Sequence, residues 1–475
     1  MLFAHIAIVL TISLRILLRE DLRPPARLAW LMTIFVLPYA GALTYFLFGE
    51  ARFGKKVQKD RRSIIADIIE KGLDLNKIIL ENRAVVDPKF QLLARYATSI
   101  NMFTPVEGNS TSLMRDAQDT VAHLVADIDN AKTHIHVLYY IWLKDVTGTT
   151  VAEALMRASR RGVTCRVMVD GLGSRAFIKS KLWQAMQVSG VRTQVVLSVA
   201  HPIKSALFSR IDLRNHRKIT VIDNQITYCG SQNCADPEFL IKAEYAPWVD
   251  IMLRITGPVV AQNQLLFATD WMYYHPEDSL EDFSNPIPKA NKGSCIAQVV
   301  GDGPTSRHGA SSQLFTALVG SAHDTLTIST PYFVPDSEIV SSLLAAAHRG
   351  VKVSLIFPAR NDSWIVGAVS RSYYKTLLSA GIRIYEYVPG LLHAKTLTID
   401  SQITVVGSTN LDLRSFDLNY ENDLLCYCAR TAAAVQVRQN IYIDDSDSIT
   451  LDCVGRWSIW RRIWQNAMAT LGPVL

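Results

Sequence analysis

No Cys-x-x-Cys pair occurs in this sequence, and its seven cysteines are odd in number. Cys165, Cys229, Cys234, Cys295, Cys426, Cys428 and Cys453 lie largely in apolar, strand-like runs. That argues against a disulfide framework and for buried, reduced thiols in a cytoplasmic domain. Metal patterns are missing too, since His and Cys do not cluster at ligand spacing. Two Asp-Gly openings, DGLGSR at 170–175 and DGPTSR at 302–307, lack the spaced aspartates of a completed acidic metal motif and read as turns. Neither a metal nor another cofactor is expected. Charge is muted: the net value is +6, a mild excess that suits an anionic partner such as lipid headgroups or nucleic acid.

Apolar residues are plentiful, at 49% of the chain, and they concentrate at the start. A first run, MLFAHIAIVLTISLRILL, carries Arg15, which can snorkel to an interface. It lacks the basic head and small-residue cleavage site of a signal peptide. A second run, between Arg27 and Glu50, holds 22 residues without a charge, enough to cross about 30 Å of hydrocarbon. Pro38 is placed to kink it. Residues 1–50 are therefore expected to form two membrane helices, a hairpin with both ends on one side. Residues 51–105 form a basic juxtamembrane and connecting segment with Arg52, Lys55, Lys56, Lys59, Arg61 and Arg62. Positive-inside counting puts the rest in the cytoplasm, on a multi-pass membrane protein.

Beyond residue 105 the texture is α/β, and it repeats. HIHVLYYIW, TTVAEALMRASRRG and VTCRVMVDG read as strand, helix and strand; TLTISTPYF, SEIVSSLLAAAHRG and VKVSLIFPA repeat the order. Gly162 and Gly350 end the two helices. A first lobe over 106–275, a polar linker over 276–294 and a second lobe over 295–475 follow. The chain end, RWSIWRRIWQNAMATL, is an amphipathic helix, either packed on the core or lying on a membrane surface.

Each lobe closes on the same skeleton. NHRKITVIDNQITYCGSQN and LLHAKTLTIDSQITVVGSTN share spacing from the histidine: Lys at +2, Asp at +7, Gly at +14, Ser at +15, Asn at +17. Glu244 and Glu421 both fall at +28. This is an internal duplication. Duplicated lobes packed about a pseudo-two-fold axis would join two half-sites into one. The catalytic set is then His216, Lys218, Asp223, His393, Lys395 and Asp400, with the aspartates in a supporting ion-pair role. Two ammonium groups and the amides of Asn233 and Asn410 can hold the oxygens of a phosphodiester. One imidazole attacks phosphorus while the other protonates the leaving alkoxide, then deprotonates the incoming alcohol. Ser231 and Ser408 add oxygen contacts, and Glu244 and Glu421 each fix the histidine of their own copy through its second nitrogen.

The doubled H-x-K-x4-D, each followed by G-S-x-N, resembles the phospholipase D superfamily. The wider context resembles bacterial cardiolipin synthase of the membrane-anchored, two-helix kind: DLRNHRKITVIDNQITYCGSQN, GLLHAKTLTIDSQITVVGSTNLDLRSFDLNYEND, TPYFVPD and LLFATDWM after an apolar hairpin. The resemblance spans the chain. It implies phosphatidyl transfer between two phosphatidylglycerol molecules, with release of glycerol. It also implies that His216 is the nucleophile and His393 the acid/base. Phosphatidylglycerol and anionic membrane lipid are the implied partners, with no nucleic acid; a homo-oligomer stays open. A phospholipase D or a phosphatidyltransferase with another acceptor alcohol would use the same residues. A nuclease fits the mild basicity poorly, and a scaffold with a dead site fits two complete motifs poorly.

Overall fold

The computed structural model describes residues 2–19, 22, 24–49, 74–198, 212–283 and 295–470. The basic stretch from Arg52 to Arg62 and the end of the linker, 284–294, therefore lie outside the described residues, as do Glu20, Asp21 and Arg23 of the first connection.

The patterned segments of the two lobes become matching elements. HIHVLYYIW supplies strand His134–Tyr139, followed by helix Val146–Arg160 and strand Thr164–Asp170; in the second lobe Thr325–Ser329, Ser337–His348 and Lys352–Pro358 follow the same order. Asp145 and Asp336 begin the two helices by accepting from the amides of Gly148 and Ile339, a carboxylate at the positive helix end. Gly162 and Gly350 follow the helices at φ 87° and 92°, where a side chain is strained. Gly162→Ala is expected to cost about 1 kcal/mol, seen as a lower urea midpoint at unchanged slope.

Strand order repeats as well. The first lobe runs Val106–Leu113, Met252–Thr256, Ile226–Gly230, Ile219–Ile222, His134–Tyr139, Thr164–Asp170, Arg192–Val196. The second runs Cys295–Asp302, Asn419–Tyr427, Ile403–Gly407, Thr396–Ile399, Thr325–Ser329, Lys352–Pro358, Arg383–Tyr387, with Ser446–Ile449 added at its outer edge. The first strands of the two lists pair antiparallel, Val106 opposite Ala297, and join both lobes into one sheet. An antiparallel seam between equivalent strands is what a two-fold relation requires. Helix Val259–Tyr274 lies buried against this seam, and one apolar cluster runs through both lobes, from Leu253 and Trp271 to Val406 and Leu424. Removing that shared apolar surface from water is what holds the lobes in register.

The N-terminal expectation needs correction. The long apolar run is two helices, Pro24–Val36 and Pro38–Phe48, preceded by Leu2–Leu17. Pro38 has no N–H to continue the ladder, and the chain turns out of helical geometry at Leu37, φ −131° and ψ 72°. Among the described residues no helix is long and apolar enough to cross a membrane. The three helices pack on Ile16, Trp30, Ile34 and Tyr45 and leave Leu10, Leu14, Leu28, Phe35 and Leu43 exposed.

Candidate active site

Each motif histidine is gripped by the opposite lobe. Strand Arg214–Asn215 pairs in parallel with the start of Asn419–Tyr427, and the His216 amide donates to the Tyr420 carbonyl at 2.8 Å. Strand Leu391–Leu392 pairs in parallel with Trp248–Val249, and the His393 amide donates to the Val249 carbonyl at 2.8 Å. Arg217, next to His216, points the other way. Its guanidinium pairs with buried Asp270 at 2.6 Å and donates to the Glu421 carbonyl at 3.1 Å, fixing the backbone from behind.

The side chains repeat the exchange. His216 Nδ1 lies 2.9 Å from Glu421 Oε2 and 3.0 Å from its Oε1. His393 Nδ1 lies 2.6 Å from Asp250 Oδ1. A carboxylate only accepts, so Nδ1 carries a proton in both rings and Nε2 is the nitrogen left for chemistry. The Lys218 ammonium donates to the His216 carbonyl at 2.7 Å, and Lys395 to the His393 carbonyl at 2.6 Å. Each ammonium has three donors, and this uses one. Both lysines lie in the fields of both Glu421 and Asp250, and His216 feels the charge of His393. The two half-motifs thus meet in one buried cluster. The Tyr140 ring stands edge-on to His216 at 5.0 Å, and the Trp248 ring leans on His393 at 4.8 Å.

Several motif residues sit elsewhere than expected. Glu244 is exposed on the turn Leu240–Tyr245 and does not hold His216. Glu421 does not hold the histidine of its own copy either; it crosses to His216. The residue that Glu244 was expected to be is Asp250. Gly230 pairs with Met252 while Gly407 pairs with Asp423, so the first connection is six residues longer. Counting back from those partners, rather than forward from the histidines, aligns Asp250 with Glu421. Asp223 and Asp400 also stand apart from the chemistry. Each follows a strand whose other end begins near its histidine, on the order of 20 Å of extended chain away. Asp223 accepts from the amides of Lys132, Thr133 and His134, and Asp400 from those of His323, Asp324 and Thr325. Both occupy tight hairpin turns at φ 50°. They tie the hairpin to the neighbouring strand by charge-assisted hydrogen bonds.

Ser231 and Ser408 serve the carboxylates. Ser231 Oγ donates to Asp250 Oδ1 at 2.6 Å, and Ser408 Oγ donates to Glu421 Oε2. Asn233 Oδ1 accepts from the Ile141 amide at 3.3 Å. Asn410 donates through Nδ2 to Ser415 Oγ at 3.2 Å, while its buried Oδ1 has no hydrogen bond among the described residues. The motif glycines permit close strand crossing. A Cβ at Gly407 would stand 2.0 Å from Asp423 Oδ1, and one at Gly230 would stand 2.2 Å from the Ile251 carbonyl oxygen.

The profile of the family described as "Cardiolipin synthase, PLD-like domain" matches residues 124–271 and 315–441, one match per lobe. A second, described as "Phospholipase_D-nuclease N-terminal", matches residues 6–50. Cardiolipin synthase A of Edwardsiella ictaluri is 34% identical over 481 aligned positions that span 100% of this chain and 97% of the relative. The chain belongs to the cardiolipin synthase family of the phospholipase D superfamily. Cardiolipin synthase A of Proteus mirabilis is 33% identical over the same shares of both chains. Among solved structures, a phosphatidylserine synthase of Haemophilus influenzae is similar at a TM-score of 0.58 and 14% identity, covering 81% of this chain and 98% of that one, which is a likeness of fold.

The electrostatics of this cardiolipin synthase family site are uneven between its halves. Burial holds the His216 imidazole well below its usual range, with Lys218 and Lys395 adding to the effect. Burial also raises its partner Glu421 to about 7, opposed by Lys218. Burial would raise Asp250 too, but His393, Lys395 and Ser231 together hold its carboxyl below the usual carboxylate range. The His393 pair therefore keeps a fixed negative charge that the His216 pair holds less firmly. Burial pushes the Lys218 and Lys395 ammonium groups down to about 8 and about 7. Two desolvated lysines that still take up protons near neutrality make the cluster receptive to an anion.

Proposed function

We propose that this site transfers a phosphatidyl group from one phosphatidylglycerol to a glycerol hydroxyl of another, giving cardiolipin and glycerol reversibly. The observation that supports this reading is the crossed pairing: two imidazoles, each with Nδ1 tied to a carboxylate of the other lobe, leave Nε2 of both for chemistry in one cluster with two lysines. His216 Nε2 attacks phosphorus as the bond to the glycerol headgroup breaks. Protonated His393 gives its proton to the departing alkoxide. The neutral His393 then takes the proton of the incoming hydroxyl, whose oxygen attacks phosphorus as the P–N bond breaks, and His216 is regenerated. Lys218, Lys395, Asn233 and Asn410 hold the non-bridging oxygens, where charge builds in the transition state.

Purified full-length protein supplied with headgroup-labelled phosphatidylglycerol and no added metal is expected to release labelled glycerol and to form cardiolipin. Phosphatidic acid as the sole lipid product would make it a hydrolase instead. The lysines add a pH signature. Above about 7 to 8 the free site holds neutral amines, and binding a phosphodiester anion must return their protons. The KM for phosphatidylglycerol should then climb between pH 7 and 9, approaching about tenfold per pH unit for each lysine recharged. A flat KM would remove the lysines from the phosphate.

The apolar helices of residues 2–48 are inferred to insert their exposed leucines and phenylalanine into the bilayer, with the lobes on the cytoplasmic face beside the basic residues after Glu50. Release of the full chain from membranes by alkaline carbonate would refute that anchor.

A further inference from the structure

The C-terminal helix Ile459–Thr470 is packed with its stripe reversed. A helix docked on a core buries its apolar face. Here the residue facing inward is Gln465, at 4% exposure, while Trp460 is 77% and Ile463 52% exposed. Trp464 stacks on Trp364 at 5.5 Å, and Trp364 is itself 64% exposed. Arg462 flanks the stripe and is exposed, while Arg461, on the face of Gln465, covers the Trp457 ring at 4.1 Å. Tryptophan with interleaved arginine is the composition of a lipid interface, where an amphipathic ring meets headgroups and a cation meets phosphate.

The patch reaches the site. Asp362, two residues before Trp364, binds the Lys242 ammonium of the first lobe at 2.6 Å. Lys242 ends a short run in which Leu240 and Ile241 are exposed. That run starts at Phe239, whose ring stacks at 3.9 Å on Trp248, the ring that leans on His393. Exposed apolar groups from both lobes therefore form one rim leading to the acid/base histidine.

We propose that this rim, centred on Trp364, Trp460, Ile463 and Trp464 and extended by Leu240 and Ile241, seats the lobes on the surface of an anionic bilayer and opens the site toward lipid headgroups. The proposal rests on the phosphatidyltransferase reading above for its substrate. It adds a second membrane contact, separate from the N-terminal helices, whose work is delivery rather than anchoring.

Full-length protein reconstituted in phosphatidylcholine vesicles can be given long-chain phosphatidylglycerol in the bilayer, or dihexanoyl phosphatidylglycerol dissolved below its micelle concentration. For the double variant Trp364→Ser, Trp460→Ser the rate on bilayer substrate should fall at least tenfold, with the rate on dissolved substrate unchanged. Equal losses on both substrates, or no loss on either, would overturn the proposal. A binding readout guards against misfolding. Trp460→Cys in a Cys453→Ser background, which removes the one fully exposed thiol among the described residues, can carry an environment-sensitive fluorophore. Quenching by nitroxide lipids in vesicles containing phosphatidylglycerol is expected. Absence of quenching, with a signal that tracks protein-to-lipid ratio, would assign the rim to a second copy of this chain. If the unmodified protein makes no cardiolipin from either substrate, the transferase reading fails and the quenching still decides the surface.

Discussion

His216→Ala and His393→Ala should each reduce cardiolipin formation by at least about 10⁴-fold in a protein that keeps its far-ultraviolet spectrum, because neither imidazole has a stand-in. The two variants differ in what they leave behind. With a phosphatidyl donor bearing a p-nitrophenyl headgroup, the leaving group departs without a proton. His393→Ala then keeps its nucleophile and should release about one equivalent of nitrophenol per site in a burst, followed by a stall. His216→Ala should give no burst, since no P–N bond can form. A burst from His216→Ala, and none from His393→Ala, would reverse the roles of the two histidines. Neither alanine should unfold the protein. The backbone bonds that hold these positions to Tyr420 and Val249 do not involve the side chains.

Much of this arrangement was legible in the sequence because duplication writes the same constraint twice. Two strand-helix-strand patterns with a glycine closing each helix gave the lobes, and identical offsets after two histidines gave the half-sites. What spacing could not convey was the exchange between lobes. An offset counted along one chain segment assigns Glu421 to His393, whereas the fold sends it to His216. The six extra residues around Leu240–Tyr245 hid Asp250 altogether, since they shift its offset while leaving its place beside Gly230 and Met252 intact. Asp223 and Asp400 show the opposite hazard. They recur at fixed spacing because a hairpin turn with positive φ needs a short polar residue there, and their constancy belongs to the turn. Pro38 reads from sequence as a kink in one helix, whereas its missing N–H and the non-helical geometry at Leu37 divide the run into two helices.

Asp250 also supplies the sharpest separation between spacing and geometry. Asp250→Asn is expected to lower turnover by on the order of 10³- to 10⁴-fold, while Glu244→Gln should stay within about twofold of the unaltered protein. The asparagine is nearly the same size, so packing survives. Its amide turns an N–H toward His393 Nδ1, which favours the ring tautomer with the proton on Nε2, the wrong nitrogen for taking a proton from the acceptor alcohol. The fixed negative charge that balances protonated His393 disappears with it. Because Asp250 acts through His393, its asparagine variant should behave as His393→Ala does with the p-nitrophenyl donor, keeping the burst and losing turnover. Glu421→Gln, acting through His216, should lose the burst. Asp250→Glu should recover part of the activity, since Glu421 shows that a glutamate can hold the equivalent ring across the seam. Loss of the burst in Asp250→Asn, or a Glu244→Gln defect as deep as that of Asp250→Asn, would mean that the carboxylates do not divide between the histidines as the crossed contacts imply.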